Sequence, residues 1–340
     1  MFKQPFLLFV IFLLSCNSDS TEIRSSKESI SSPYLISANQ LKDELNDENK
    51  LIIQVSPEDI YKNGHIPGAK QIWRPDYATK ENGAISGLMA SRTEMNKLLQ
   101  SLGLKTNDTI ILYDHKGNVD AARFAWILQY YGFDKYRLLN GGLKYWQSLD
   151  LTIDTTQIAS SIDSSAFTLE NTRREQTKAI ADDIVTALKD PDVLLIDTRE
   201  DYEFLGKAFQ KNGKVFTHKK GAFDRGSIPG AIHLNWSQLA DLNGDHRIKS
   251  LKDLEYDLEK RGVTKDKQII LYCQSGSRTS HTFFVLTKVL GFENVKNYDG
   301  SWIEWTYLNQ SDPIKYPINK QTKQDSFDLH YNKLKAKYSG

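Results

Sequence analysis

Cysteine is scarce in this chain of 340 residues, which contains only Cys16 and Cys273. Two cysteines exclude a disulfide framework and a multi-cysteine zinc site. An excess of charge of one sign is also missing, because 44 basic and 43 acidic side chains leave a formal net charge of +1. Since partners such as DNA usually require a basic surplus, we expect no nucleic-acid partner.

Long hydrophobic runs are scarce as well. The chain is 39% hydrophobic and 26% charged, which is typical of a globular protein. This composition excludes a disordered chain, a collagen-like chain and a multi-pass membrane protein. At roughly 150 residues per domain, a chain of this length predicts two domains.

The N-terminus carries one short apolar run. Residues 1–15 contain one positive charge, at Lys3, followed by an apolar core over Phe6–Leu14. This core is shorter than the about 20 residues that span a bilayer as a helix, and the pattern predicts a signal peptide. Residues 13–16 (Leu-Leu-Ser-Cys) resemble a bacterial lipobox, which implies cleavage before Cys16 and lipidation of its thiol.

Residues 16–33 are then a lipidated, Ser-rich polar tether. We therefore expect an exported protein of the cell envelope, held to the membrane through the lipid at Cys16, on the periplasmic face or the cell surface. Plain secretion and an uncleaved anchor are the alternatives.

The rest of the chain contains one domain twice. Residues 109–114 (Thr-Ile-Ile-Leu-Tyr-Asp) match residues 268–273 (Gln-Ile-Ile-Leu-Tyr-Cys), and their offset of 159 holds as far as Trp146 and Trp305. Ile-Pro-Gly-Ala recurs at an offset of 162, and Glu-Asp at residues 58 and 200 at an offset of 142. The constant offset indicates a duplication, and the change of offset places about twenty extra residues between Phe204 and Ser227.

Each copy alternates short apolar runs with helix signals. Residues 51–55, 110–113, 193–196 and 269–272 are runs of strand length that suit a sheet buried on both faces. The alternation predicts an α/β fold with a parallel sheet and helices on both faces in each domain. We place the first domain at 34–150, a linker at 151–166, the second domain at 167–308 and a polar C-terminal tail at 309–340.

Cys273 follows the predicted strand 269–272 directly, and a helix is predicted to begin near Arg278 or Thr279. This position is the carboxyl end of a parallel strand, where open α/β sheets bind ligands. The loop between them consists of Gln274, Ser275, Gly276 and Ser277. Its backbone N–H groups can converge on the sulfur as in an anion nest.

The loop N–H groups, the helix dipole and Arg278 all favour a thiolate at Cys273. Because the thiolate is the nucleophile, we predict that Cys273 is catalytic. A buried structural cysteine is the alternative. Four residues separate Cys273 from Arg278, whereas protein tyrosine phosphatases have five, so this tighter loop suits the outer sulfur of a persulfide better than a phosphoryl group.

These features together resemble the tandem rhodanese-type sulfurtransferases. The resemblance covers about residues 34–308 and rests on the duplication, the Ile-Pro-Gly-Ala blocks, Asp197-x-Arg199, the loop 273–278 and residues 297–302 (Asn-Tyr-Asp-Gly-Ser-Trp). It implies two rhodanese-like domains, of which the first is inactive and the second catalytic. The first copy has Asp114 at the cysteine position, lacks the loop arginine, and has Val55 and Pro57 in place of the Asp-x-Arg pair.

The resemblance also implies a double displacement without a cofactor. The Cys273 thiolate takes the sulfane sulfur of a donor, which leaves as sulfite from thiosulfate or as pyruvate from 3-mercaptopyruvate. The N–H groups of residues 274–279 hold the persulfide, and cyanide or a thiol then accepts the sulfur. Asp197 and Arg199 would support the loop, with a plain structural ion pair as the alternative.

The resemblance leaves the donor open. Gln274 stands where many thiosulfate-preferring relatives have a basic residue, Ser277-Arg278 replaces the Val-Thr of mercaptopyruvate-type relatives, and Glu203 stands where some relatives place a substrate-binding arginine. Residues 203–207 resemble a thiosulfate-type subgroup, so we favour thiosulfate. The candidate contacts for the donor anion are Arg278, Arg74 across the domain cleft, and Lys219, Lys220 and Arg225 in the insertion, the last three with a solvated surface charge as the favoured alternative.

Two other functions compete with sulfur transfer. One is a non-catalytic persulfide- or thiol-sensing module, in which Cys273 binds without turnover. The other is a phosphatase-like or arsenate-reductase-like enzyme. His65, His233 and His281 do not have metal-ligand spacing, so we expect no metal. A monomer is the default, because the two domains can cover each other's faces.

Overall fold

The computed structural model describes residues 30–79, 85–156 and 165–320. The predicted signal peptide, Cys16 and most of the predicted tether lie outside the described residues, as do residues 157–164 of the predicted linker and 321–340 of the predicted tail. None of the helices in the described ranges has both the length and the apolar character needed to cross a membrane.

The first domain is a parallel sheet with helices around it. Its elements are β1 (Leu35–Ile36), α1 (Ala38–Asp43), β2 (Lys50–Val55), α2 (Glu58–Lys62), β3 (Lys70–Ile72), α3 (Arg74–Tyr77), α4 (Arg92–Ser101), β4 (Thr109–Tyr113), α5 (Val119–Tyr130), β5 (Tyr136–Leu139) and α6 (Gly142–Ser148). The strands pair in parallel in the order β1-β5-β4-β2-β3. The predicted apolar runs form the central strands β2 and β4, which are buried along almost their whole length.

The second domain repeats this arrangement. Its elements are β6 (Lys178–Ala179), α7 (Ala181–Ala187), β7 (Val193–Asp197), α8 (Asp201–Phe204), β8 (Phe209–Lys211), β9 (Lys214–Phe216), β10 (Ile232–His233), α9 (Leu251–Glu259), β11 (Gln268–Tyr272), α10 (Ser277–Phe284), β12 (Val295–Tyr298) and α11 (Ser301–Ser311). Short 3₁₀ turns cover Glu175–Thr177 and Trp236–Leu239, and a π-turn covers Val285–Val289.

The second sheet has the order β10-β7-β11-β12-β6, again all parallel. This is the order of the first sheet when equivalent strands are compared, so the predicted α/β fold with two like domains is confirmed. The extra residues of the second copy include an antiparallel hairpin, β8–β9, outside both sheets.

The two domains share one hydrophobic core. Helix α5 packs against its counterpart α10, and Phe124 and Phe283 belong to the same buried cluster. Each of these helices follows the loop at the end of its central strand, so the interface brings the two loops together. Gly117 of the first loop accordingly lies against Leu242 of the second domain, and Gly276 of the second loop lies against Arg123 of the first.

Two segments, one between the domains and one after α11, pack against the domains more closely than the sequence predicts. Residues 165–174, which the prediction divides between the linker and the second domain, run along the first domain: Ser165 N–H donates to the Gln100 carbonyl at 3.2 Å. The described part of the predicted polar tail packs back on the second domain, where Trp305 Nε1 donates to the Pro317 carbonyl at 3.0 Å. The physical reason is burial of apolar side chains, namely Leu169 in the first case and Tyr316 in the second.

Candidate active site

Cys273 lies immediately after β11, and α10 begins four residues later at Ser277. Its side chain is buried, with 1% exposure. Gly276 caps the helix in the left-handed region, at φ 84°, and a Cβ there would lie 2.5 Å from Arg123 Nη1. Glycine therefore suits this position both for its backbone conformation and for the close approach of the first domain.

The sulfur of Cys273 accepts hydrogen bonds from the loop that follows it. Gly276 N–H donates to Sγ at 3.1 Å, and Thr279 Oγ1 lies 3.7 Å from Sγ. Burial raises the pKa of Cys273, but the charge of Arg278 and hydrogen bonds from Thr279 and Ser275 outweigh it, so the pKa lies below that of an ordinary thiol. This arrangement favours the nucleophilic thiolate.

The guanidinium of Arg278 forms an ion pair with a carboxylate of the same domain. Its guanidinium donates to both carboxylate oxygens of Glu203, at 2.5 and 2.9 Å, and Lys219 Nζ donates to the same carboxylate at 2.8 Å. Burial raises the pKa of Glu203, but these cations lower it to about 2. Glu200 lies farther from the same guanidinium, at 3.9 Å, so two carboxylates offset the charges of Arg278 and Lys219, while the charge of Arg278 still lowers the pKa of the thiol.

Residues at the start of α11 form hydrogen bonds with the first two residues of the cysteine loop. Cys273 N–H donates to Ser301 Oγ at 3.2 Å, and Trp302 N–H donates to the Cys273 carbonyl at 3.0 Å. Ile303 N–H donates to the Gln274 carbonyl at 3.2 Å. The carbonyls of Cys273 and Gln274 are therefore bound by α11, whereas the N–H of Gly276, later in the loop, faces the sulfur.

Asp197 and Arg199 form a buried ion pair next to this support. Arg199 Nη2 lies 2.6 Å from Asp197 Oδ2 and donates to the Gly226 carbonyl at 2.7 Å. Its guanidinium carbon lies 4.3 Å from the centre of the Trp302 ring. The ion pair is therefore linked to the Cys273 loop through Trp302, whose N–H donates to the Cys273 carbonyl.

The first domain contributes Arg123, which the sequence gave no reason to select. Arg123 is 2% exposed and forms an ion pair with Asp299 across the domain interface. It also donates to the Gly87 carbonyl at 3.1 Å, while its Nη1 has no hydrogen-bond partner among the described residues. Asp299 belongs to the 297–302 motif identified in the sequence, whereas Arg123 belongs to no such motif.

The equivalent loop of the first domain surrounds the carboxylate of Asp114 instead of a sulfur. Asp114 Oδ1 accepts from the N–H groups of Lys116 and Asn118 at 2.6 and 2.7 Å. Its Oδ2 accepts from those of Asp120 and Ala121 at 2.7 and 3.2 Å. Lys116 and Asp120 correspond to Ser275 and Thr279 at the offset of 159, so both loops direct equivalent N–H groups at a negative group.

The remaining candidate contacts for the donor anion line two adjoining cavities. Arg74, Lys219 and Lys220 line an open cleft together with residues 274 and 275 of the loop. Arg225 lines a smaller, adjoining cavity, which Lys219 lines as well. The cations that the sequence singled out therefore all lie near the loop, but they do not form one cluster.

Comparison with known proteins identifies both halves of the chain. The family model described as Rhodanese-like domain matches residues 37–149 and 181–307. The sulfur carrier protein TtuD of Thermus thermophilus is 34% identical over 285 residues, which are 81% of this chain and 94% of that protein. A thiosulfate sulfurtransferase of Corynebacterium glutamicum is 32% identical over 274 residues, which are 80% of this chain and 87% of that protein.

Solved structures with lower identity share the fold. YnjE has a TM-score of 0.67 at 23% identity, with 85% of this chain and 69% of that chain covered. A variant of EanB in complex with ergothioneine has a TM-score of 0.70 at 21% identity, with 86% of this chain and 71% of that chain covered. These similarities support the two-domain architecture alone.

Substitutions in the Glu203–Arg278 pair are expected to move the pKa of Cys273 in opposite directions. Glu203→Gln leaves the charge of Arg278 uncompensated and should lower that pKa by about one unit, whereas Arg278→Gln should raise it by about as much. The measurement is the pH dependence of alkylation by iodoacetamide in the full chain carrying Cys16→Ser, in which Cys273 is the sole thiol.

A matched control is Lys62→Gln, which removes one charge from an exposed ion pair with Glu58 in the first domain. Its alkylation profile should coincide with that of the parent chain. Identical profiles for all three variants would show that the pair does not govern the thiolate.

Asp114→Ala is expected to destabilise the protein. It removes the acceptor of four N–H groups in a buried loop, and at about 1–3 kcal/mol per unsatisfied group the free energy of unfolding should fall by at least about 3 kcal/mol. The measurement is urea unfolding, with the exposed Asp43→Ala as control, which should change the value by less than about 0.5 kcal/mol. A similar small loss in both variants would contradict this account of the first loop.

Proposed function

This chain belongs to the rhodanese family of sulfurtransferases, and from that premise we propose that it moves a sulfane sulfur from thiosulfate to a thiol or cyanide through a persulfide on Cys273. One observation carries the proposal. The sole thiol of the described residues lies at the end of a central strand and accepts the Gly276 N–H at 3.1 Å. A lowered pKa at that thiol is what a nucleophile requires.

The first half of the reaction loads the enzyme. The Cys273 thiolate attacks the outer sulfur of thiosulfate, the S–S bond of thiosulfate breaks, and sulfite leaves with the bonding electron pair. The product is a Cys273 persulfide whose outer sulfur carries the negative charge. Loop N–H groups such as that of Gly276 then stabilise this charge, just as N–H groups of the first-domain loop bind the Asp114 carboxylate.

The second half returns the enzyme to its starting state. An acceptor thiolate or cyanide attacks the outer sulfur, and Cys273 leaves as a thiolate. Because each step exchanges one nucleophile for another at sulfur, the cycle needs no external oxidant and no cofactor.

Thiosulfate is the favoured donor over 3-mercaptopyruvate. The Corynebacterium relative is named a thiosulfate sulfurtransferase, and residues 203–207 resemble a thiosulfate-type subgroup. Arg74 and Lys219 line the cleft beside the loop, but each is paired with a carboxylate, so each offers a small dianion only part of its charge. Lys220 and Arg225 are two further candidate cations that line cavities beside the same loop.

A second candidate is a module that holds sulfur on Cys273 without turnover. The Thermus relative is named a sulfur carrier protein, and that name favours storage or delivery over a rapid cycle. The two functions share the persulfide and differ in whether a small acceptor discharges it repeatedly.

The mass of the full chain carrying Cys16→Ser, measured after thiosulfate or after 3-mercaptopyruvate, tests the proposal. We expect a gain of one sulfur atom from thiosulfate, less from 3-mercaptopyruvate, and none in a chain that also carries Cys273→Ser. Repeated thiocyanate formation on adding cyanide identifies an enzyme, and a single discharge identifies the carrier. No gain of mass from either donor would overturn both.

We also propose that the mature chain is anchored in the cell envelope by a lipid on Cys16. The support is the signal-peptide pattern of residues 1–15 and the Leu-Leu-Ser-Cys segment at residues 13–16. In a bacterium expressing the full chain, Cys16→Ser should move the protein from the membrane fraction to the soluble fraction, while Ser18→Ala should not. Membrane association that survives Cys16→Ser would favour an uncleaved anchor, and a soluble parent chain would favour plain secretion.

A further inference from the structure

The hairpin β8–β9 has no role in the chemistry described so far. It belongs to the insertion that distinguishes the catalytic copy from the first. Its turn residues Asn212 and Gly213 both have positive φ, 50° and 73°, as a type I′ turn requires. Its strand residues are exposed except for the half-buried Phe209, so it adds little to the core.

The insertion nevertheless stands beside the catalytic loop. Gln274 Nε2 donates to the Lys220 carbonyl at 3.3 Å, which ties the loop to the insertion. The Phe209 ring packs against Tyr202 at 5.0 Å and against Phe216 at 5.5 Å between ring centres. The hairpin thereby forms one wall of the open cleft whose floor includes residues 274 and 275.

The cleft is basic. Five cationic side chains line it, and no aspartate or glutamate does so among the described residues; the cations are Arg74, Lys211, Lys214, Lys219 and Lys220. Asp120 binds Arg74 and Glu203 binds Lys219. Lys211 and Lys214 form no ion pair with any described residue, so the uncompensated charge lies on the hairpin.

The cleft is also larger than thiosulfate or cyanide requires. Its volume is ≈ 1280 Å³, whereas pockets for drug-sized molecules measure about 300–1,000 Å³. An exposed aromatic side chain also lines the cleft, since Phe216 is 40% exposed. Exposed aromatic side chains are enriched in surfaces that bind polypeptides.

We propose that this cleft binds an acidic polypeptide segment that carries the accepting thiol. The proposal rests on the sulfur transfer proposed above and identifies the chemical class of its acceptor. Carboxylates of the segment would pair with Lys211 and Lys214, and an apolar side chain would pack on Phe216. The thiol would then face the loop at Ser275.

The transfer itself is a single displacement. The thiolate of the segment attacks the outer sulfur of the Cys273 persulfide, and the S–S bond to Cys273 breaks. Cys273 leaves as a thiolate with the bonding electron pair, and the segment becomes a persulfide. No electrons are gained or lost overall.

Discharge of the thiosulfate-loaded chain by matched peptides tests the proposal. The full chain carries Cys16→Ser, and two peptides of equal length contain one cysteine flanked by glutamate and leucine or by lysine and leucine. The glutamate peptide should discharge the persulfide about tenfold faster than the lysine peptide. Lys211→Glu/Lys214→Glu should reduce the glutamate-peptide rate about tenfold relative to the cyanide rate, while Lys97→Glu/Lys105→Glu, two exposed lysines of the first domain, should not.

A binding measurement separates this proposal from the one on which it rests. Anisotropy of the fluorescent peptides with serine in place of cysteine, titrated with the Cys273→Ser chain, reports cleft binding without sulfur chemistry. Selective binding of the glutamate peptide, lost in Lys211→Glu/Lys214→Glu, supports the cleft even if thiosulfate loads no sulfur, in which case the proposed function fails alone. Normal loading with equal binding of both peptides overturns the cleft proposal, as does discharge by glutathione at the glutamate-peptide rate.

Discussion

The structure depends on one constraint: backbone N–H groups at the carboxyl end of a central strand must converge on a negative group. In the second domain that group is the sulfur of Cys273, which accepts the Gly276 N–H. In the first domain it is the Asp114 carboxylate, which accepts four N–H groups of its own loop. The duplicated backbone therefore surrounds a thiol with a lowered pKa in one domain and a fixed carboxylate in the other.

The first domain, which has Asp114 at the position of Cys273, contributes to the candidate active site because the two loops meet at a shared interface. Helices α5 and α10 pack together, and Arg123 lies so close to Gly276 that a side chain there would collide with it. The same arginine pairs with Asp299 in the segment that leads into α11, whose N-terminus binds the Cys273 carbonyl. Rigidity at the cysteine thus comes from both domains, which explains why a copy without a nucleophile contributes to the site.

Charge near the cysteine is distributed rather than concentrated. Glu203 holds Arg278 and Lys219 together, so the loop experiences a modest positive field in place of a strong one. Such a field stabilises a thiolate while leaving the sulfur nucleophilic, because nucleophilicity falls as the thiol pKa falls. Lys211 and Lys214, which form no ion pair with any described residue, lie on the hairpin that lines the open cleft.

The sequence by itself determined the duplication, the central strands, and the cysteine loop with Asp114 at its counterpart position. These are local properties: apolar runs such as 269–272 report burial, Ser91 and Ser250 cap the helices α4 and α9, and Gly276 reports a backbone conformation. Only the tertiary structure decided that Arg123 meets Asp299, 176 residues away, that Glu203 binds Arg278, and that the hairpin stands beside the loop. The physical reason is that a charged side chain has no pattern that names its partner, since the partner is set by which surfaces the folded domains bring together.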